Sequence, residues 1–291
     1  MPELPEVETV ARLVRPDVEG RAIRDVNVGW VRSLGGMSVA EFANNVVGCH
    51  IEEVSRRAKY IVMRLVRRGS GRRRSKEPAG FLFIHLRMSG RLTAEPVEPD
   101  LEPYLRVQLL LDRGALSFLD VRKFGRFVFV ADPAAITSKL GPEPLSSEFT
   151  EQDFRNALKA RKRLLKPLLL DQSFLAGLGN IYVDESLHRS GLHPLRRADR
   201  VPAKAAARLY REIRGTLSEA IEREGSSFDT FYRTPKGQPG SYQDKFQVYG
   251  RTGKPCRTCG RAIQRIVVGQ RGTHLCTRCQ VAPRAATIPR P

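Results

Sequence analysis

The stretch CRTCGRAIQRIVVGQRGTHLCTRC, residues 256–279, contains two Cys-x2-Cys pairs with 16 residues between them. Four thiolates at this spacing are typical of a closed tetrahedral zinc site, and a pair of disulfides is disfavoured in a cytosolic chain. Since the protein supplies all four ligands, we predict one structural Zn²⁺ that holds a β-hairpin together and performs no chemistry. The predicted ligands are Cys256, Cys259, Cys276 and Cys279. On this segment alone the chain could be any zinc ribbon.

Upstream of this segment, the hydrophobic pattern separates a β-rich region from a helical one. Residues 7–14 carry valines and alanine at helical spacing, and short β-like runs follow between Ile23 and Val130, which predicts an antiparallel sandwich. The clearest of these runs are 60–65, 81–86, 107–111, 115–118 and 127–130. The expected domains are an N-terminal β-sandwich (1–132), a helical domain (133–225), a loop or linker (226–245), a zinc finger (246–280) and a disordered tail (281–291). A basic hairpin loop is expected at 69–78.

The charge of the chain predicts a polyanionic partner. The 291 residues include 50 Lys and Arg against 31 Asp and Glu, a formal net charge of +19. Such a surplus attracts polyanions and steers association with them, so nucleic acid is the first candidate and an anionic membrane the second. No apolar run of about 18 residues occurs, and the N-terminus is acidic, so we expect no membrane helix and no signal peptide. We expect a cytoplasmic protein.

The first residues, Met-Pro-Glu-Leu-Pro-Glu-Val-Glu, suggest amine chemistry. Removal of Met1 would expose a secondary amine at Pro2 beside the carboxylate of Glu3, which is suited to Schiff-base formation at a carbonyl carbon. An α-amine has a reference pKa of about 8, below the value of about 10.4 for lysine, so more of it is unprotonated near neutral pH. The alternative is that Pro2 and Glu3 only start a helix.

A glycine-rich turn lies in the helical region. Residues 175–182, Leu-Ala-Gly-Leu-Gly-Asn-Ile-Tyr, place two glycines before a helix expected to start near Asn180. Glycines let the backbone approach an anion, and a helix N-terminus presents free N–H groups. The neighbouring cations Arg161, Lys162, Arg163 and Lys166 favour a clamp for a nucleic-acid backbone. The alternative is a tight turn between two helices.

Together these features resemble the formamidopyrimidine-DNA glycosylase family, base-excision enzymes that also cleave DNA at abasic sites. The similarity covers nearly the whole chain as an ordered set of blocks, and that order makes it highly specific. The blocks are MPELPEVET at 1–9, RRAKY at 56–60, HLRMSG at 85–90, DVRKFGR at 120–126, LGPEPL at 140–145, KPLLLDQSFLAGLGNIYVDESL at 166–187 and QVYGRTGKPC at 247–256. The resemblance implies an α+β multidomain fold: an N-terminal antiparallel β-sandwich with flanking helices, a helix-two-turns-helix domain and a C-terminal zinc-finger β-hairpin.

The resemblance implies catalytic roles for four residues. Pro2, as the N-terminus, would attack C1′ of the damaged nucleotide, and Glu3 would protonate and open the sugar, with Glu6 in support. Lys59 would serve β-elimination, and Arg271 would hold the phosphate and assist δ-elimination. The alternatives are a surface strand lysine for Lys59 and a simple interaction with the helix dipole for Glu6.

Other residues are expected to bind duplex DNA. Extruding a base leaves a void in the stack, and Met88, Arg122 and Phe124 match the family's intercalating trio, which suits a minor-groove wedge. Without the family, Met88 and Phe124 would be interpreted as core residues. The remaining expected DNA-binding residues are Tyr104, Arg161, Lys166 and Asn180. Tyr104-Leu-Arg106-Val107 replaces the family's frequent His-x-His-Val, which puts a DNA-contacting histidine in doubt.

Two features concern the substrate. Glu-Leu-Pro-Glu at 3–6 resembles the purine-lesion branch, whereas the oxidised-pyrimidine branch typically has Glu-Gly-Pro-Glu. Residues 226–245 fall where the family has its lesion-recognition loop, although they equally fit an idle linker. We expect a monomeric glycosylase and AP lyase that excises 8-oxoguanine and formamidopyrimidines from double-stranded DNA and nicks it by β,δ-elimination. The alternatives are an oxidised-pyrimidine glycosylase and a catalytically silent zinc-dependent DNA-binding protein.

Overall fold

The structure is a computed structural model that describes residues 1–68, 76–97, 99–227 and 232–283. The chain forms two compact units, of which the first comprises Met1–Ser138 and Arg223–Ser241. The second comprises Lys139–Glu222 and the chain from Tyr242 onward. Parts of three predicted segments lie outside the described residues: 69–75 of the basic loop, 228–231 of the lesion-recognition loop and 284–291 of the tail.

The first unit contains two four-stranded antiparallel sheets, with strand orders β1-β6-β7-β5 and β2-β3-β4-β8. The strands are β1 (Ile23–Val28), β2 (His50–Arg57), β3 (Tyr60–Arg68), β4 (Lys76–His85), β5 (Gly90–Thr93), β6 (Leu105–Leu111), β7 (Ala115–Asp120) and β8 (Arg126–Val130). Both sheets contribute side chains to one hydrophobic core. The predicted antiparallel sandwich is confirmed.

Helix α1 (Leu4–Val18) packs on this core because its apolar residues recur at helical spacing. A capping box starts it: the Glu3 side chain accepts from a first-turn backbone N–H, and the Glu6 side chain accepts from the Glu3 N–H. Arg15 Nε donates to the Val54 carbonyl at 3.0 Å, which fixes α1 against β2. The other helices of this unit are α2 (Val39–Val46) and α3 (Ala134–Thr137).

The segment Arg223–Ser241 belongs to the first unit although a long helical region separates it in sequence. The Ser226 N–H donates to Glu6 Oε1 at 2.8 Å. The Thr93 hydroxyl donates to the Pro235 carbonyl at 2.9 Å. These two hydrogen bonds attach both described parts of the segment, on either side of residues 228–231, to α1 and β5.

The second unit is helical and ends in a hairpin. Its helices are α4 (Glu151–Lys159), α5 (Leu165–Leu170), α6 (Asn180–Ser190) and α7 (Ala203–Glu222). Thr150 and Asp153 form a capping box at the start of α4, and Gly191 at φ +70° ends α6. Strands β9 (Gln264–Val268) and β10 (Arg271–Leu275) form the hairpin. The predicted helical region and C-terminal β-hairpin are confirmed. Across the described residues, no helix is long and apolar enough to cross a membrane.

Candidate active site and zinc centre

The N-terminal residues lie in a tightly packed and polar environment. Pro2 and Glu3 are buried in front of α1. The Glu3 N–H donates to Glu6 Oε2 at 2.8 Å, and Glu6 is itself buried. Both oxygens of Glu6 are occupied, because Oε1 accepts the Ser226 N–H. Glu6 therefore joins the backbone directly after Pro2 to the Arg223–Ser241 segment.

Gly225 is where this segment passes Glu6. Its φ is +78°, a region that L side chains rarely adopt. A Cβ built on Gly225 would lie 2.8 Å from both Cγ and Oε1 of Glu6. A glycine is therefore required here both for the backbone conformation and for its approach to Glu6.

Lys59 lies at the tight turn between β2 and β3, directly after Ala58 at φ +53°. It is buried, so the prediction that it could be an ordinary surface lysine is wrong. Arg56 anchors the turn to α1, since its Nε lies 2.9 Å from Glu8 Oε2 and its Nη1 donates to the Ala58 carbonyl. The turn thus holds Lys59 in the same unit as Pro2 and Glu3.

His85 at the end of β4 is a buried neighbour of this lysine. Burial and the positive charges of Arg87 and Lys59 lower the pKa of His85 to about 3. Its Nδ1 accepts the backbone N–H of Arg87 at 3.0 Å. The neutral imidazole therefore supports the backbone that leads into Met88.

The predicted intercalating residues form one exposed cluster. Met88 is 38% exposed and Phe124 is 46% exposed. Arg122 Nη1 lies 3.2 Å from Met88 Sδ, and Arg122 Cζ lies 4.9 Å from the centre of the Phe124 ring. The interpretation of Met88 and Phe124 as core residues is therefore wrong. We call Met88, Arg122 and Phe124 the wedge.

Tyr104 and Arg106, which replace the family's usual histidines, lie in different environments. Tyr104 is 36% exposed, whereas Arg106 is buried. The Arg106 guanidinium donates to the Asp120 carbonyl at 2.8 Å and to the Pro103 carbonyl at 2.9 Å. Tyr104 can therefore contact a ligand, while Arg106 is engaged inside the protein.

In the second unit, the predicted phosphate contact by Lys166 needs correction. Lys166 has no exposed surface, and its Nζ lies 2.6 Å from Asp184 Oδ1 and 3.1 Å from the Gly272 carbonyl. Asn180 Nδ2 donates to the same carbonyl at 3.0 Å. Burying an ammonium requires a charge partner, and Asp184 on α6 provides it. Lys166 and Asn180 therefore hold the hairpin residue that follows Arg271.

Arg161 and Arg271 are exposed, so their guanidinium groups are accessible to a phosphate. Arg271 opens β10 after a two-residue turn, Gly269-Gln270, in which both residues have positive φ. This conformation is the type I′ turn that matches the twist of a hairpin. The turn and the hydrogen bonds to the Gly272 carbonyl together fix the backbone position of Arg271 at the start of β10.

The four cysteines converge at one point. Their sulfur atoms all lie within 4.8 Å of one another. A tetrahedral ion with Zn–S bonds of about 2.3 Å separates its thiolates by about 3.8 Å, so the donor set fits zinc. Cys49 lies apart, is buried and donates to the Asn45 carbonyl, and burial raises the pKa of its thiol. The ion would be held by protein ligands alone.

His188 on α6 touches the zinc centre. Its Nε2 lies 3.5 Å from Cys256 Sγ, and its side chain is buried. On the same helix, the buried Glu185 carboxylate accepts the backbone N–H groups of Gln247, Val248 and Tyr249 at 2.8 to 2.9 Å. Helix α6 thus holds both the zinc centre and the chain leading to it.

Known proteins match this arrangement over almost its full length. The model of the formamidopyrimidine-DNA glycosylase N-terminal domain matches residues 1–127, that of the H2TH domain of the same enzymes matches 140–232, and that of the zinc finger found in FPG and IleRS matches 253–281. The chain belongs to the formamidopyrimidine-DNA glycosylase family. The structural zinc site predicted from the cysteines is thereby confirmed.

Individual members of the formamidopyrimidine-DNA glycosylase family are similar throughout. The enzyme of Protochlamydia amoebophila is 40% identical, covering 96% of this chain and 99% of that protein. The enzyme of Chloroflexus aggregans is 44% identical, covering 97% and 99%. The crystal structure of MutM (FPG) from Thermus thermophilus has a TM-score of 0.82 at 41% identity, covering 96% and 98%. Lactococcus lactis Fpg with abasic-site DNA has a TM-score of 0.82 at 34% identity, covering 96% and 100%.

The site contains several residues that sequence analysis did not single out. Asp184, Glu185 and His188 lie on α6, and their partners are distant in sequence. Asp120 lies inside a quoted motif, yet its contacts are made with other segments. The available signal was an acidic residue inside a quoted motif of so basic a chain, as for Asp120, Asp184 and Glu185.

Proposed function

We propose that this family member is a bifunctional DNA glycosylase and AP lyase that excises oxidised purines, chiefly 8-oxoguanine and formamidopyrimidines, from duplex DNA. The observation that carries the proposal is the arrangement of Glu3 and Glu6 directly behind Pro2. Family membership and relatives named formamidopyrimidine-DNA glycosylase support it. Several solved relatives from Lactococcus lactis are complexes with Fapy-dG containing DNA, which favours the purine branch over oxidised pyrimidines.

The first chemical step uses Pro2 after removal of Met1. The unprotonated amine forms a bond to C1′ of the damaged nucleotide while the C1′–N bond to the base breaks. Glu3 gives a proton to the ring oxygen, the sugar opens, and the nitrogen lone pair completes an iminium at C1′. Glu6 holds the backbone of Glu3 through the 2.8 Å hydrogen bond. With Met1 retained, Pro2 nitrogen would be an amide and could not react.

Strand cleavage follows from the iminium. It makes the C2′ proton acidic, so a base removes that proton and the 3′ phosphate leaves by β-elimination; the 5′ phosphate leaves in the second elimination. We assign Lys59 to the first elimination, because its turn is anchored to α1 by Arg56. We assign Arg271 to the phosphate, because it is exposed at the start of β10.

Recognition of duplex DNA combines a wedge and a set of cations. The wedge fills the void left by the extruded nucleotide. Arg161 binds the phosphate backbone, as does the N-terminus of α6, whereas Lys166 and Asn180 act through the hairpin. Tyr104, in the first unit, also contacts the DNA.

Zinc stabilises the hairpin that carries Arg271 and takes no part in bond making. We place the enzyme in the bacterial cytosol as a monomer.

A panel of lesion duplexes tests this function. Single-turnover excision is measured on duplexes containing 8-oxoguanine, Fapy-dG, thymine glycol or no lesion. We expect rapid excision of the two purine lesions, and loss of excision with retained DNA binding for Pro2→Gly and Glu3→Gln. Preference for thymine glycol would favour the pyrimidine branch. Binding without excision of any lesion would favour the silent DNA-binding protein.

A further inference from the structure

The two segments that carry the wedge meet at one buried carboxylate. Asp120 is 1% exposed and ends β7. Its Oδ1 accepts the Ser89 hydroxyl at 2.5 Å and the Arg122 N–H at 3.2 Å. Its Oδ2 accepts the Gly125 N–H at 2.7 Å. Asp120 therefore accepts hydrogen bonds from Ser89, the residue after Met88, and from Arg122 and Gly125, which flank Phe124 at two positions before it and one after it.

Two glycines bring these segments close together over one aromatic ring. A Cβ on Gly90 would lie 2.7 Å from Phe118 Cε2, and a Cβ on Gly125 would also collide with the Phe118 ring. Phe118 is buried in the core. The Phe118 ring thus limits how closely both segments approach the core, while the hydrogen bonds of Asp120 fix the distance between the two segments.

The carboxylate is committed to hydrogen bonds and not to an ion pair. Throughout residues 1–68, 76–97, 99–227 and 232–283, no lysine or arginine side chain forms a salt bridge with Asp120. A buried charge without a counter-ion must be stabilised by donors, and hydrogen bonds to a charged group are the stronger kind. Arg106 adds to this anchoring by donating to the Asp120 carbonyl at 2.8 Å. The two wedge segments are therefore held together by the hydrogen bonds that the Asp120 carboxylate accepts.

We propose that Asp120 is a positioning residue that keeps the wedge assembled before DNA binds. The inference rests on the proposed function, because it explains how the wedge acts during base extrusion. Asp120 touches no substrate. It holds Met88 and the Arg122–Phe124 strip in one geometry, so the three side chains enter the stack as a unit and need no ordering at that moment.

Asp120→Asn tests the inference because it preserves shape and removes acceptors. Wherever the amide nitrogen lies, it faces a backbone N–H, that of Arg122 or that of Gly125, so the strip that carries Arg122 and Phe124 loses one of its hydrogen bonds to residue 120. Asp112→Asn is the matched control: Asp112 accepts one N–H, from Ala22, in the turn between β6 and β7. The chain has one tryptophan, Trp30, and the Lys123 ammonium lies 4.4 Å from its ring centre. Trp30 emission therefore reports whether the unit is folded and whether the wedge strip has moved.

Wedge insertion is measured without chemistry. A duplex carries a tetrahydrofuran abasic analogue opposite 2-aminopurine, whose emission rises when the wedge unstacks it. We expect a large rise for wild type and Asp112→Asn, and less than about half that rise for Asp120→Asn. Excision of 8-oxoguanine from duplex DNA should slow about 10- to 100-fold, the effect of a misplaced group. Ser89→Ala should produce a smaller change in the same direction and serves if Asp120→Asn does not fold.

A second measurement separates this inference from the proposed function. Single-stranded abasic DNA needs no extrusion, so borohydride trapping on it should be the same for Asp120→Asn and wild type. Two results would overturn the positioning role. One is a 2-aminopurine rise in Asp120→Asn and Ser89→Ala that equals the rise in wild type. The other is an equal loss of trapping by Asp120→Asn on single-stranded and duplex DNA. If wild type itself forms no trapped adduct, the proposed function fails, while the 2-aminopurine signal still decides the role of Asp120.

Discussion

Lys166 Nζ lies 2.6 Å from Asp184 Oδ1, and neither side chain has exposed surface. The other oxygen of Asp184 accepts the backbone N–H of His274 at 2.8 Å, and Lys166 also donates to the Gly272 carbonyl. The pair therefore links α5 and α6 to β10 from the inside. In sequence, Lys166 resembles a cation that contacts DNA. In the structure its buried ammonium instead supports the strand that begins with Arg271.

Lys166→Met is expected to loosen the hairpin. Removing one partner of a buried ion pair costs about 3–5 kcal/mol, because the remaining charge is left uncompensated. Hydrogen exchange of peptides covering 264–275 should accelerate about 100-fold or more, while peptides covering 105–120 in the other unit serve as the internal control. Lys166→Met combined with Asp184→Asn should recover part of the loss, since the stranded charge is gone. Unchanged protection in the single variant would contradict the supporting role.

Gly225→Ala should impair base excision through Glu6. The new Cβ would meet Glu6 Cγ and Oε1 at 2.8 Å and displace the carboxylate from the Glu3 N–H. Gly20→Ala is a matched control, because Gly20 has φ +80° and no atom within 4 Å of its added Cβ. Both variants should be destabilised by about 1 kcal/mol from backbone strain. Only Gly225→Ala should lower the single-turnover rate of excision, by about tenfold or more. Equal rates for the two variants would show that the position of Glu6 does not affect excision.

His85 gives the stability of the first unit an acid dependence. Its pKa is lowered to about 3, so the native protein keeps it neutral while the unfolded chain binds a proton below about pH 6.5. The contribution of neutral His85 to the free energy of unfolding is fully present above about pH 6.5. It is lost as the pH falls further, at up to about 1.4 kcal/mol per pH unit. His85→Asn keeps an acceptor for the Arg87 N–H and cannot titrate.

Urea unfolding followed by Trp30 emission checks this dependence. Between pH 7.5 and pH 5.0, wild type should lose about 2 kcal/mol more than His85→Asn. The direction follows from the extra proton of the unfolded state. Parallel pH profiles for the two proteins would show that His85 does not carry the effect.

His188→Phe should speed the loss of zinc. Nε2 of His188 lies 3.5 Å from Cys256 Sγ and can donate to the thiolate. Partners that orient metal ligands contribute about 10- to 100-fold to metal affinity. Release is followed with a chromogenic chelator. His188→Gln retains a donor at a similar position and should release zinc nearly as slowly as wild type. His193→Asn alters a buried histidine that instead accepts the Leu195 N–H, and should have no effect; acceleration in that variant too would indicate general loosening.

Sequence pattern predicted the local structure well where several consecutive residues of a strand are buried, as in β3, β4 and β7. The runs in β3, β4, β6, β7 and β8 were found because they are apolar and bounded by turns. Strand β1 was not singled out because Ile-Arg-Asp-Val-Asn-Val is largely exposed, and β5 was not because it has only four residues. The zinc ligands were found because four cysteines at fixed spacing allow few other interpretations.

Pairings between distant residues could not be predicted in this way. Lys166 was interpreted as a surface cation because its charge is visible in sequence, whereas its partner Asp184 is identified only by the fold. Asp120 acts through residues of two segments, and Glu6 through Ser226, which is 220 positions away. In each case the missing information is long-range topology. The chemistry of the side chains alone does not supply it.

Covalent trapping shows directly whether the nitrogen of Pro2 is the nucleophile. Purified protein is mixed with duplex DNA containing 8-oxoguanine or an abasic site, reduced with borohydride, digested and mapped by mass spectrometry, alongside the intact mass of the free protein. We expect a chain that lacks Met1 and a single adduct on the nitrogen of Pro2. A chain that retains Met1, an adduct on Lys59 or another lysine, or no adduct at all would contradict this expectation.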